Sequence, residues 1–243
     1  MGTEKTLSAP WSRPSASEPG NRVAHPLHTV ALLAIQAGIA VRGIMHANQA
    51  RAAGNSNNIP MYVRTIIMEW ALLAFVIGGV WLAKAPLTTV LGQRWKSARD
   101  VFRDIGIGVV FIILQQVVLS VLTAHMHGAD ADRAVRFLLP HGPVEMVLWL
   151  ALSISAGICE EAIFRGYLQR QFAAFTQNVP AGILLSAAMF GFAHSYQGAG
   201  RAVVIGLDGA MLGALAHWCR SVRPGMVGHA FKDAVAPLIM ARH

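Results

Sequence analysis

PVEMVLWLALSISAGICEEAIFRGYLQRQFAAF, residues 143–175, is the stretch that decides how the chain reads. Apart from Glu145 and two serines it is apolar as far as Cys159; then Glu160 and Glu161 arrive together, followed by Arg165. A helix needs about 20 mostly apolar residues to cross the hydrocarbon of a bilayer, and this run is longer. It is too continuous for the alternating strands of a barrel. An ionisable side chain at membrane depth costs several kcal/mol unless it is paired or watered, so it marks function by default. One stretch therefore announces both a membrane helix and a buried polar site.

The rest of the chain agrees. Hydrophobic residues make up 54% and charged residues 13%, against about a quarter charged in a soluble domain. Further apolar runs span Leu27–Met45, Tyr62–Ala83, Ile105–Ala124, Val179–His194, Ala202–Trp218 and Met226–Met240, and a short extra helix fits between Leu87 and Val101. The expected fold is all-α: a polytopic transmembrane helical bundle of about seven to eight helices with a buried polar cavity. Residues 1–26, with SAPWSRPSASEPG at 8–20, read as a flexible cytoplasmic tail without the apolar core of a signal peptide. Residues 27–143 read as N-terminal transmembrane helices, and 144–243 as the catalytic region. Two cysteines exclude a disulfide scaffold. The net charge of +8 belongs to cytoplasmic loops, so the lipid bilayer is a partner and nucleic acid is not.

Side-chain spacing sharpens the site. Glu161 and Arg165 are four apart on one helical face, with the acid on the N-terminal side, the favourable order for an ion pair. Glu160 projects about 100° away, so it is left to face a cavity. From Glu160 to the turn near Gln177 and back to His194 are nearly equal lengths of helix. In an antiparallel hairpin the two therefore meet at one depth, where they can bind and activate a water. His229 and Asp233 share a face of the last run and reach roughly the same level.

Glu-Glu-x-x-x-Arg at 160–165, Phe-x-x-x-His at 190–194 and His-x-x-x-Asp at 229–233, in that order on successive helices, resemble the CPBP family of CAAX-protease and bacteriocin-processing (Abi) intramembrane proteases. GICEEAIFRGYLQ and AAMFGFAHS look like the family too, and the likeness covers about residues 144–240. The resemblance implies a helical fold with a water-filled cavity and peptide-bond hydrolysis. It implies Glu160 as general base, His194 as the group that binds and polarises water, Glu161 and Arg165 as holders of the site, and His229 with residue 233 as stabilisers of the oxyanion. The family often has Asn where this chain has Asp233. Either Asp233 is protonated in its apolar setting, or it orients His229 as an acceptor. No cofactor is expected; the alternative is zinc held by His194, His229 and Glu160, although no H-E-x-x-H occurs.

The expected substrate is a membrane-associated or CAAX-like protein or peptide, and the oligomeric state stays open. Two other classes remain: a non-catalytic immunity-like or chaperone-like membrane protein, and a proton-coupled transporter. Cys159 reads as a small core residue, Asp208 as a polar helix contact or cavity residue, and Glu69 and Arg64 as snorkelling or paired near a helix end. No G-x-S-x-G or P-loop is present. Redox habit and length suggest a prokaryotic chain, hence an inner membrane.

Lys84, Arg94, Lys96, Arg99 and Arg103 place the 84–104 linker in the cytoplasm, with the N-terminus and the turns near Gln177 and Ser221 on the same side; Arg165, Arg170, Arg220 and Arg223 flank those turns. A cysteine at Ser97, in a chain with Cys159 and Cys219 replaced, is expected to react with an impermeant maleimide from the cytoplasmic side only. Labelling confined to the outer side would overturn the topology.

Overall fold

A computed structural model describes residues 22–53, 57–122 and 138–240. Among these residues the chain is all-α, as expected, with no strand. Helix α1 is Pro26–Ala53, α2 Ile59–Leu82, α3 Thr88–Leu91 and α4 Ala98–Leu122. Helix α5 runs over Pro143–Thr176, and its central part, Glu161–Leu168, is wound as a π-helix. Helix α6 is Val179–Ala193, α7 Ala199–Cys219 and α8 Arg223–Met240, with a 3₁₀ turn at Ser195–Gln197. Within the described residues each apolar run is thus helical. Five helices are long and apolar enough to cross a membrane: α1, α2, α4, α5 and α7. Helix α6 is apolar but only 15 residues long, and α8 carries His229, Lys232 and Asp233. The protein is an integral membrane protein.

Helices α2, α7 and α8 each start three residues earlier than the sequence reading, and three further boundaries differ more informatively. Helix α4 begins at Ala98 rather than Ile105, because its polar first turns are satisfied. The Asp100 N–H donates to Ser97 Oγ at 3.3 Å, and buried Asp104 accepts from Trp95 Nε1 at 2.8 Å and from Arg103 at 2.9 Å. Helix α1 continues past Met45 to Ala53. Not all of the tail is free: the Val23 and Ala24 amides donate to Gln171 Oε1 at 2.8 and 3.4 Å, so residues 22–25 are anchored to α5. Residues 1–21, the end of the third run at Ala124 and most of the loop before Pro143 lie outside the described residues.

Helix α5 is the hub. Its first half packs between α2 and α8, and its second half against α6; α8 also packs on α4, α6 on α7, and α1 on the 3₁₀ turn. The α5–α6 hairpin is tight for local reasons. Gln177 adopts a left-handed φ of 52°, and Asn178 caps α6 by accepting from the Ala181 N–H at 2.9 Å. Burial is reversed relative to a soluble bundle: on α4, Val117 is 58% exposed while Gln115 is 1% exposed and donates to the Asp208 carbonyl at 3.0 Å. Apolar side chains meet lipid and polar ones meet each other.

Helix α8 can lie this close only because glycines remove side chains from its contacts. A Cβ on Gly157 would stand 2.6 Å from the Met226 carbonyl oxygen, and one on Gly228 would stand 2.7 Å from the Gly108 carbonyl oxygen. Gly228→Ala is expected to lower stability by about 1–3 kcal/mol through overpacking. Gly106→Ala on α4 meets open space and should raise it by about 0.5–1 kcal/mol. Thermal unfolding of the two variants checks this; equal effects would show that the glycine contact does not limit the approach.

Candidate active site

The heights worked out from helix rise converge. Glu160 stands about 24 Å from the end of α5, and His194 about 22 Å from the start of α6. His229 is only about 9 Å into α8, so the α5–α6 hairpin extends past the start of α8. At that level His194 Nε2 lies 3.8 Å from Glu160 Oε1, and His229 Nε2 lies 3.8 Å from Glu160 Oε2. Glu160 Oε2 is buried without a hydrogen-bond partner among the described residues. The two glutamates are adjacent in sequence and opposite in situation.

Glu161 is fully buried and is held through one oxygen, Oε1, while Oε2 accepts no hydrogen bond among the described residues. Its Oε1 pairs with Arg165 Nη1 at 2.9 Å and accepts from His229 Nδ1 at 3.0 Å. Its Oε2 lies beside Gly225, where a Cβ would come within 2.9 Å, in the first turn of α8. A helix N-terminus favours negative charge there. Arg165 donates from Nη2 to the Gly209 carbonyl at 3.3 Å and lies over the Phe190 ring, 4.2 Å from its centroid. Phe190 also meets His194 edge-on, at 4.6 Å between centroids, and His229 at 6.0 Å. The π-helical winding begins at Glu161 and contains Arg165. Such winding is rare and concentrates at functional sites.

The imidazoles differ in what they offer. His194 Nδ1 lies 2.9 Å from the Phe190 carbonyl oxygen, which can only accept, so Nδ1 carries a proton. In the neutral ring Nε2 is then an acceptor facing Glu160. His229 donates from Nδ1 to Glu161, while its Nε2 faces Glu160 and, at 3.4 Å, Asp233 Oδ2. Asp233 thus meets Nε2, whereas Glu161 orients the ring through Nδ1.

The structure brings together every residue that sequence spacing selected: Glu160, Glu161, Arg165, His194, His229 and Asp233. Asp208 is a helix contact, paired with Lys232 at 2.8 Å, and Cys159 is a buried core residue. Two readings need correction. Arg165 is buried in the site, so it says nothing about sidedness, and Arg223 stacks over Trp95 at 4.5 Å. Glu69 neither snorkels nor pairs with Arg64. It is 6% exposed, accepts from Ser155 Oγ at 2.6 Å and lies within electrostatic reach of Glu160 and His229. Its signal was present in the sequence as a lone acid inside the run Tyr62–Ala83. Tyr196, 6.0 Å from His194 and packed beside Gly43 of α1, was also overlooked.

The residues that would hold the zinc of the alternative reading, His194, His229 and Glu160, lie together, with both Nε2 atoms 3.8 Å from Glu160 oxygens. His229 has Nδ1 committed to Glu161 and Nε2 facing two carboxylates. No step below is routed through a metal.

A membrane bundle with two imidazoles around a partly unpaired carboxylate has the parts for general acid–base chemistry. Residues 142–235 match the family model of the Rce1-like type II CAAX prenyl endopeptidases, and the whole cluster from Glu160 to Asp233 falls inside the match. The match supports intramembrane endopeptidase activity as the general function. No curated protein and no solved structure matches the chain.

Removing Arg165 leaves Glu161 short of its countercharge. Arg165→Ala is expected to destabilise the protein by about 3–5 kcal/mol. Arg165→Lys should fall between, since it keeps the charge but loses the planar stack on Phe190. A thermal unfolding midpoint and cleavage rate for Arg165→Ala equal to those of the unmodified protein would show the pair to be dispensable.

Proposed function

We propose that the protein is a glutamate-type intramembrane endopeptidase acting on a membrane-associated or CAAX-like protein or peptide. The observation that carries this reading is the Glu160 carboxylate, set 3.8 Å from an imidazole nitrogen on either side. A water about 2.8 Å from both Glu160 Oε1 and His194 Nε2 donates one hydrogen to each acceptor. Its lone pair is then free for the scissile carbonyl carbon.

As the water oxygen bonds to that carbon, its proton passes to Glu160 and the carbonyl electron pair moves onto oxygen. His229 serves the resulting oxyanion in its imidazolium form, which donates from Nδ1 to Glu161 and from Nε2 into the site. Collapse restores the carbonyl, breaks the C–N bond and returns the proton from Glu160 to the departing nitrogen. The products are one new carboxylic acid, which keeps the second proton of the water until it ionises on release, and one new amine. Glu161 and Arg165 take no proton; they fix His229 and the π-helical turn.

Glu160→Gln keeps the shape but cannot take the proton, so cleavage should fall by about 10²–10⁴ with the fold intact. His194→Ala should be similarly severe. His229→Ala should cost about 10²–10³ through loss of the oxyanion donor. Activity should survive chelation. The assay is peptide cleavage in proteoliposomes. A Glu160→Gln protein that still cleaves would remove Glu160 as the base, and loss on chelation with recovery on adding zinc would select the metal mechanism. A chain that moves protons but cleaves nothing would select transport.

A further inference from the structure

Helix α8 carries a proline in its interior, Pro237. Proline has no N–H, so the carbonyl four residues earlier, that of Asp233, loses its intrahelical donor. An unsatisfied carbonyl is costly where no water can reach it. The missing donor is supplied by another helix: Trp149 Nε1 on α5 donates to the Asp233 carbonyl oxygen at 2.8 Å. The indole is itself held. Tyr62 of α2 meets it edge-on at 5.8 Å between centroids, and the Tyr62 hydroxyl donates to the Leu138 carbonyl oxygen at 2.6 Å. Asp233 is thus gripped by its backbone from α5 while its carboxylate lies 3.4 Å from His229 Nε2.

We infer that Trp149 is a positioning residue: its indole N–H replaces the donor that Pro237 removes, and by tying the Asp233 carbonyl to α5 it sets where Asp233 and His229 stand relative to Glu160. The inference rests on the peptidase reading above, because only there does the placement of His229 Nε2 control a rate. The physical logic is that a helix held only by its own hydrogen bonds slides and rotates freely against its neighbour. A carbonyl released by proline and claimed by a side chain of the neighbour fixes register at one point. That point lies one turn beyond His229, on the residue that shares its Nε2. The Gly157 contact fixes the same pair of helices at Met226 and Ala230, which bracket His229.

A double-mutant cycle on the full chain tests the tether. Trp149→Phe keeps an aromatic ring beside Tyr62 and removes the N–H together with some ring volume, and the volume loss, common to both backgrounds, cancels in the cycle. Pro237→Ala returns an intrahelical N–H to the Asp233 carbonyl. Trp149→Phe is expected to lower kcat about tenfold with KM changed less than about twofold, the pattern of lost transition-state geometry. In the Pro237→Ala background the same substitution should cost less than about twofold. Thermal unfolding midpoints of the four proteins should show the same non-additivity, whether or not any peptide is cleaved. Equal kcat losses in both backgrounds, a loss confined to KM, or no loss would overturn the inference. If Trp149→Phe alone does not fold, the double variant decides: a folded, cleaving chain supports the tether, and its failure to recover overturns it. An unmodified chain without peptidase activity would sink the functional reading and the positioning role together, yet leave non-additive unfolding. A cleaving chain with additive variants would sink the tether alone.

Discussion

The Glu161 carboxylate has no access to water, so the chain itself must neutralise it, and most of the site follows from how this is done. Arg165 provides the charge from the same helix, His229 provides a donor from α8, and the first turn of α8 lies against the remaining oxygen. Each of these contacts has a condition of its own. For α8 to come so near, Gly157 and Gly228 must lack side chains. For the guanidinium to stay planar and fixed, Phe190 of α6 must lie beneath it and the Gly209 carbonyl of α7 beside it. One buried charge thereby determines how four helices meet.

Committing Arg165 and His229 Nδ1 to Glu161 is what leaves Glu160 available. Adjacent residues on a helix point to different sides, and the structure assigns them different environments: each has an Oε2 without a hydrogen-bond partner, but Glu161 is sealed and holds Arg165 and His229 through Oε1, whereas Glu160 is 17% exposed at its side chain. A base must be able to gain and lose a proton, and a carboxylate locked by a guanidinium and an imidazole is poorly suited to that. The unlocked neighbour is better suited, and His194 and His229 stand on its two sides. Phe190 joins both imidazoles and the guanidinium through one ring, so the F-x-x-x-H motif of α6 contributes its phenylalanine as well as its histidine.

Much of this was legible in the sequence because it depends on regular spacing. Four-residue separations on helices, and equal arms of a hairpin, survive translation into three dimensions, so Glu161–Arg165, His229–Asp233 and Glu160–His194 could be paired before any coordinates. Contacts fixed by packing between distant helices were not legible. Glu69 shows in the sequence only as a lone acid inside an apolar run, and its partner Ser155, on another helix, is not given by spacing. Arg165 and Arg220 cannot be told apart by composition, although one is sealed in the site and the other lies exposed at a turn. The π-helical winding at Glu161–Leu168 does not follow from the spacing of apolar residues. The early start of α4 was hidden because Asp100, Arg103 and Asp104 look like loop residues until their mutual partners are seen.

Asp233 shows how geometry narrows a chemical choice that sequence leaves open. An acceptor that orients His229 through the nitrogen away from the reaction would have to sit at Nδ1, and Glu161 already occupies that position. Asp233 instead faces Nε2, the nitrogen that the proposed mechanism directs at the oxyanion. The two acids around this ring also differ in their access to water: the Glu161 side chain is sealed, while that of Asp233 is 32% exposed. Exchanging Nε2–H between Asp233 and an incoming oxyanion therefore strands no buried charge, because water can take over the bond that Asp233 gives up. The same exchange at Glu161 would leave a carboxylate uncompensated at membrane depth. The position the family often gives to Asn can thus hold an acid here because it stands at the wetter side of the ring.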